Sequence, residues 1–118
     1  MRIFLAIATL MLACGNAPAD VPPAQRAEVE HLIAFVRETE CRIERNGKYY
    51  DGLAAVKHIE KKYAYFRDDI ESTEDFIRLA ASRSTLSGRA YTVICGDAEP
   101  IETQAWLLQE LESLRSGG

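Results

Sequence analysis

Ser82-Arg83-Ser84-Thr85-Leu86-Ser87-Gly88-Arg89-Ala90-Tyr91-Thr92-Val93-Ile94-Cys95 is the stretch on which the reading of this 118-residue chain turns. Residues 82–88 carry hydroxyls that compete with a helix for backbone hydrogen bonds, and Gly88 admits a positive φ, so they read as a loop. Residues 90–94 are mostly β-branched or aromatic and suit a pleated sheet, and Cys95 closes the run just before Gly96. A strand needs a partner. Cys41-Arg42-Ile43-Glu44-Arg45 alternates with the two-residue period of a short strand, and Asn46-Gly47 then supplies a tight turn. Antiparallel pairing with Cys41 facing Cys95 puts Arg45 opposite Tyr91.

The chain begins as an exported protein does. Arg2, an apolar run over residues 3–13 and then small residues form the layout of a secretory signal, and the run is too short to span a bilayer. Ala17-Pro18-Ala19 before Asp20 fits cleavage after Ala19, leaving a single periplasmic domain over residues 20–118. A second route stays open: Met11-Leu12-Ala13-Cys14-Gly15-Asn16 is a weak lipoprotein box that would anchor the chain through a lipid on Cys14. Either route leaves Cys41 and Cys95 as the remaining pair, which in an exported chain reads first as a disulfide, with two buried thiols as the alternative. Closing so long a loop is worth roughly 4 kcal/mol on chain-entropy grounds, and no C-x-x-C spacing gives either thiol a redox role.

Cleavage after Ala19 removes Arg2, leaving thirteen basic side chains against eighteen acidic ones, a formal charge of −5. The cations are scattered among acids with no aromatic stripe beside them, which argues against a nucleic-acid partner. A domain of this size buries only about two thirds of its unfolded surface, so a covalent staple matters.

Three helical patterns and a shorter fourth complete the sketch. After Pro22-Pro23, Val29, Leu32, Ile33 and Val36 recur at helical spacing, with His31 read as a surface residue. Leu53, Val56, Ile59, Tyr63, Phe66 and Ile70 give the strongest such pattern, flanked by His58, Lys62 and Tyr65, with Lys57 and Lys61 toward water. Ser72 is an N-cap with Asp75 three residues on, opening a helix through Phe76, Ile77 and Ala80. Trp106, Leu107, Leu108, Leu111 and Leu114 mark the last helix, with Thr103 as its expected cap and residues 116–118 as a disordered tail. The expected architecture is an α+β domain of about four helices packed on a short two-stranded antiparallel sheet near residues 41–45 and 90–95.

The polar residues that this sketch gathers at strand ends and junctions are Arg45, Asn46, His58, Lys62, Ser84, Ser87 and Tyr91. As a binding set, the loop's backbone N–H groups with Arg45, Lys62 and Arg89 would hold an anion or sugar hydroxyls; structurally, Arg45 would pair with a carboxylate while the serines close turns. An enzyme reading takes Ser84 or Ser87 as nucleophile, His58 as base and Glu74 as its orienter, but no G-x-S-x-G elbow supports it. Two separated histidines and a paired set of cysteines leave too few ligands for a metal site, and no cofactor motif appears.

The order Cys41 to Arg45-Asn46-Gly47, His58-Ile59 with Lys62-Tyr63, Thr73-Glu74-Asp75-Phe76-Ile77, Ser84 with Ser87-Gly88 and Tyr91, and Trp106-Leu107 resembles the YfeK-like family of small bacterial proteins of unknown function. The resemblance covers nearly the whole mature chain and implies a Gram-negative exported protein, without an activity or a catalytic residue. Arg42, Ile43 and Glu44 depart from its habit of an apolar or aromatic residue and isoleucine before Arg-Asn-Gly. The functional expectation is a non-catalytic binding or interaction module whose partner is an envelope protein or component. The alternative is a small serine hydrolase using a loop serine with His58.

Overall fold

The computed structural model describes residues 20–117. The leader, its candidate cleavage site, Cys14 and Gly118 lie outside the described residues. The observed order is α1 (Pro23–Glu38), β1 (Arg42–Arg45), β2 (Lys48–Tyr50), α2 (Gly52–Phe66), a 3-10 turn (Arg67–Asp69), α3 (Thr73–Ala80), β3 (Thr92–Ile94), β4 (Ile101–Glu102) and α4 (Thr103–Arg115). The class is α+β, as expected, but the sheet has four antiparallel strands in the order β2-β1-β3-β4 rather than two.

The central pair forms as the sequence indicates. Ile43 faces Val93 and Glu44 faces Thr92, and one step past the Arg42–Ile94 pair the chains are joined by the Cys41–Cys95 disulfide, with Cα atoms 4.4 Å apart. The first additional strand follows from the turn. Asn46 and Gly47 both take positive φ, 51° and 82°, the geometry of a two-residue hairpin turn, so the chain folds straight back with Lys48 opposite Arg45 and Tyr50 opposite Ile43. The Glu44 carboxylate accepts the Gly47 N–H at 2.7 Å. The second, β4, is a two-residue edge against β3, too short to leave a period in the sequence.

One apolar core joins the layers. Leu32 and Val36 of α1, Val56 and Ile59 of α2, Phe76, Ile77 and Ala80 of α3, and Leu107 and Leu111 of α4 enclose Ile43 and Val93 of the sheet. Helix α2 begins on Asp51, whose carboxylate accepts the Ala54 N–H, and its first turn lies so close to the end of α1 that a Cβ on Gly52 would run into the Val36 carbonyl oxygen and sit 2.9 Å from that of Arg37. Ser72 caps α3 by accepting the Asp75 N–H at 3.0 Å.

Three expectations change. Leu53 is exposed and Ile70 lies beyond α2, buried after the 3-10 turn, because the helix stops at Phe66. Tyr65 points to solvent while its expected neighbour Lys62 is buried. Thr103 opens α4 as its first residue instead of capping it; its N–H donates to the Tyr91 carbonyl and its hydroxyl is buried without a protein partner. His31 lies at the surface as expected, half-exposed, and is bound to Glu110 at 2.7 Å, which ties α1 to α4.

Replacing Cys41 and Cys95 by alanine is expected to lower stability by roughly 2–4 kcal/mol, a fall of about 10–25 °C in Tm for a domain of this size. A thermal melt within a few degrees of the oxidised protein would show that the sheet does not depend on the bridge.

Candidate functional site

Beyond the Cys41–Cys95 end of the sheet, the β1–β3 register carries Arg45 and Asn46 to the segment holding Ser84 and Tyr91, and α2 runs alongside with His58, Lys61 and Lys62. The result is an open cleft of about 500 Å³. Its polar wall is made by Arg45, Asn46, Lys48, Tyr50, His58 and Lys61 on one side and by Lys62, Ser84 and Tyr91 at its base, with Thr85 and Leu86 at the rim. No carboxylate lines it.

The base is a hydrogen-bonded series. Lys62, only 9% exposed, donates to the Arg83 carbonyl at 2.5 Å and to the Tyr91 hydroxyl at 3.3 Å, and its ammonium lies 5.2 Å from the Tyr91 ring centroid. The Tyr91 hydroxyl is 3.1 Å from His58 Nε2. Burial, then repulsion from Arg45, Lys62 and Lys61, pushes His58 down to about 4, so it is neutral at neutral pH. With a neutral imidazole, the arrangement that uses every donor has Lys62 donating to Tyr91 and Tyr91 donating to His58 Nε2. Burial lowers the Lys62 pKa too, with Arg45 adding to the effect, and raises that of Tyr91, which keeps the phenol protonated.

Arg45 is held against Tyr50, donating to its hydroxyl at 3.2 Å with the guanidinium 4.7 Å from the ring centroid. Its Nη1 is buried without a protein partner, as is the Thr103 hydroxyl, and both residues line an inner cavity of about 20 Å³ beneath the cleft.

The serine loop is clamped to the hairpin turn. Asn46 Nδ2 donates to Ser84 Oγ at 3.1 Å and the Ser87 hydroxyl donates to Asn46 Oδ1 at 2.7 Å, while Ser84 Oγ also accepts the Ser87 N–H. The expected set Arg45, Asn46, His58, Lys62, Ser84 and Tyr91 therefore meets around one cleft. Ser87 stands behind it as part of the clamp. Arg45 pairs with a tyrosine and not with a carboxylate. The residues proposed for acyl transfer do not assemble: His58 bonds Tyr91, Ser84 Oγ is engaged by Asn46, and Glu74 is held by Arg115 on α4 at 3.0 Å. Among the described residues no cluster of three His, Cys, Asp or Glu is arranged to hold a metal ion, and no helix is long and apolar enough to cross a membrane.

The model of a family of unknown function, DUF5329, matches residues 23–115, the span from the first turn of α1 to the end of α4. The chain belongs to the DUF5329 family. It is also 29% identical over 91 residues to the uncharacterized protein YfeK of Salmonella typhimurium, covering 76% of this chain and 75% of that one, which bears out the resemblance read from the sequence. No solved structure matches.

In this DUF5329 protein, sequence reasoning missed Lys48, Tyr50 and Lys61 as cleft residues. Asn-Gly followed by Lys48-Tyr49-Tyr50 carried the signal of a returning strand, which brings Lys48 and Tyr50 beside Arg45. Lys61 lies one helical turn beyond His58 and so shares its flank. The site makes a pH prediction. An unfolded histidine takes up its proton near 6.5 and folded His58 near 4, so the unfolded chain binds more protons between those values; His58 contributes stability that is full above about 6.5 and lost as pH falls toward 4. NMR titration is expected to show the His58 ring still neutral at pH 5.5, and a midpoint near 6.5 would contradict the buried relay.

Proposed function

We propose that this domain is a non-catalytic binding module of the bacterial cell envelope whose cleft takes an oxyanion. One observation carries the reading: a chain of net charge −4 gathers Arg45, Lys48, Lys61 and Lys62 around a single cleft with no acid among its lining residues. Lys48 and Lys61 are exposed and make no ion pair among the described residues, and Lys62 is buried with a carbonyl and a phenol as its partners. Cations crowded in this way repel one another, and a phosphate or carboxylate placed among them relieves that repulsion while receiving charge-assisted hydrogen bonds. The second Asn46 Nδ2 N–H adds a neutral donor that orients the anion, while Tyr91, its own O–H donating to His58, holds Lys62 in place at the base. The compartment belongs to the same proposal: the signal-like leader and the disulfide support export to the periplasm, with cleavage after Ala19 or a lipid anchor at Cys14 as its two routes.

Calorimetric titration of the protein with inorganic phosphate tests this. Binding is expected at low ionic strength, weakening steeply as sodium chloride is added, and Lys61→Glu is expected to weaken it by at least about tenfold, since it exchanges an attraction for a repulsion. Absence of binding at low salt, or equal affinity in the Lys61→Glu protein, would refute an anion site in the cleft.

A further inference from the structure

The loop over residues 84–88 displays Leu86 with 99% of its surface exposed. A single exposed leucine is ordinary; this one is held rigidly in the open. Ser84 N–H donates to the Arg89 carbonyl and Gly88 N–H to the Ser84 carbonyl, both at 2.9 Å, closing the loop at its base. The Asn46 clamp on Ser84 and Ser87 then fixes the closed loop to the β1–β2 turn, so its tip stands away from the core.

Cations flank this tip. The cleft with Lys48 and Lys61 adjoins the loop at Ser84, Thr85 and Leu86, and a second groove of about 430 Å³ with Arg78 and Arg83 adjoins it at Ser84, Thr85 and Gly88; buried Lys62 is shared between the two, and no carboxylate lines either. Arg78 is partly neutralised by Asp75 at 3.1 Å, while Arg83 makes no ion pair among the described residues. An apolar point set between two basic hollows, on a chain whose overall charge is negative, is a directed feature.

We infer that the loop over residues 84–88 docks this protein onto an anionic phospholipid surface, with Leu86 entering the boundary between headgroups and acyl chains while lipid phosphates occupy the cleft and groove on either side. The inference rests on the oxyanion reading of the cleft and names the source of the anion. Charge complementarity selects this occupant. In a bilayer a dense layer of phosphates lies directly over an apolar stratum, and each lysine or arginine brought to such a surface strengthens binding about fivefold. Burial of one leucine adds about another tenfold or more. A protein partner of ordinary affinity would need a broad patch of about 800 Å² on each side with an apolar centre, whereas here the apolar part is one side chain among cations.

Co-sedimentation with vesicles tests the inference, using the full chain with Cys14→Ser so that no acyl chain can be attached. Binding is expected to equimolar phosphatidylglycerol–phosphatidylcholine vesicles, to be lost in high salt, and to be absent for phosphatidylcholine alone. Leu86→Ser is expected to weaken vesicle binding by about tenfold, a larger loss than it causes in phosphate affinity measured in parallel by calorimetry. Lys61→Glu is expected to weaken both. Phosphate binding without vesicle binding, or vesicle binding untouched by Leu86→Ser, would overturn membrane docking while leaving the anion cleft standing; loss of both in the Cys14→Ser chain would sink the cleft reading as well. If Leu86→Ser instead turned a dimer into a monomer in size-exclusion chromatography, the loop would be a contact between copies and the inference would fall.

Discussion

The antiparallel pairing of β1 with β3, held at one end by Cys41–Cys95, is the constraint from which the rest of the molecule follows. Side chains alternate across a strand, so a slip of one residue would send Ile43 and Val93 out of the core and turn Arg45 away from Tyr91. The bridge holds the register at one end and the Ile43–Val93 pair holds it by burial. At the other end the hairpin turn, with two residues at positive φ, brings Asn46 against the serine loop. A covalent staple at one end of the central strand pair thereby sets the position of polar groups at the other end.

That placement has an electrostatic consequence. Arg45 and Lys62 are brought close enough for each to figure in the titration of His58, and Lys62 is buried with no carboxylate to balance it. Isolated buried charge is costly, and a carbonyl and a phenol offset only part of that cost. Elsewhere this protein pairs its cations with acids: Arg115, half-exposed, bridges Glu28 and Glu74, and Asp20 meets Arg26, Arg67 and the Tyr63 hydroxyl. In the cleft no carboxylate lies beside Lys62, and the proposed oxyanion would supply the compensating charge. Neutral His58 fits this account, because a protonated imidazole would add one more cation to the group already assembled.

Much of this was legible in the sequence, for identifiable reasons. Strand alternation, the cysteine pair and the hydroxyl loop ending at Gly88 give the central pairing and its register, and helical spacing gives α1 to α4. Strands β2 and β4 were not, because three and two residues are too few to carry a period; β2 is specified by the turn before it and β4 by its contact with β3. Ile70 follows the helical spacing yet falls beyond α2, since periodicity marks a stripe without marking where the helix ends, and Leu53 follows it inside the first turn yet stands exposed. The sequence offered the site residues as a set without showing that they meet; the β1–β2 hairpin and the serine loop bring them together. The burial of Lys62 and the neutral state of His58 depend on the Arg83 carbonyl, Tyr91 and Arg45 meeting in space, which no local pattern encodes.

The central claim is that the cations of β1, β2 and α2 form one oxyanion site. A crystal structure of the protein grown in inorganic phosphate measures this most directly. The account predicts tetrahedral density in the cleft within hydrogen-bond reach of Lys61 and Lys62, with Tyr91 beneath it and the loop over residues 84–88 in place. A cleft in which Lys62 has swung to solvent, or phosphate bound only elsewhere on the surface, would contradict it.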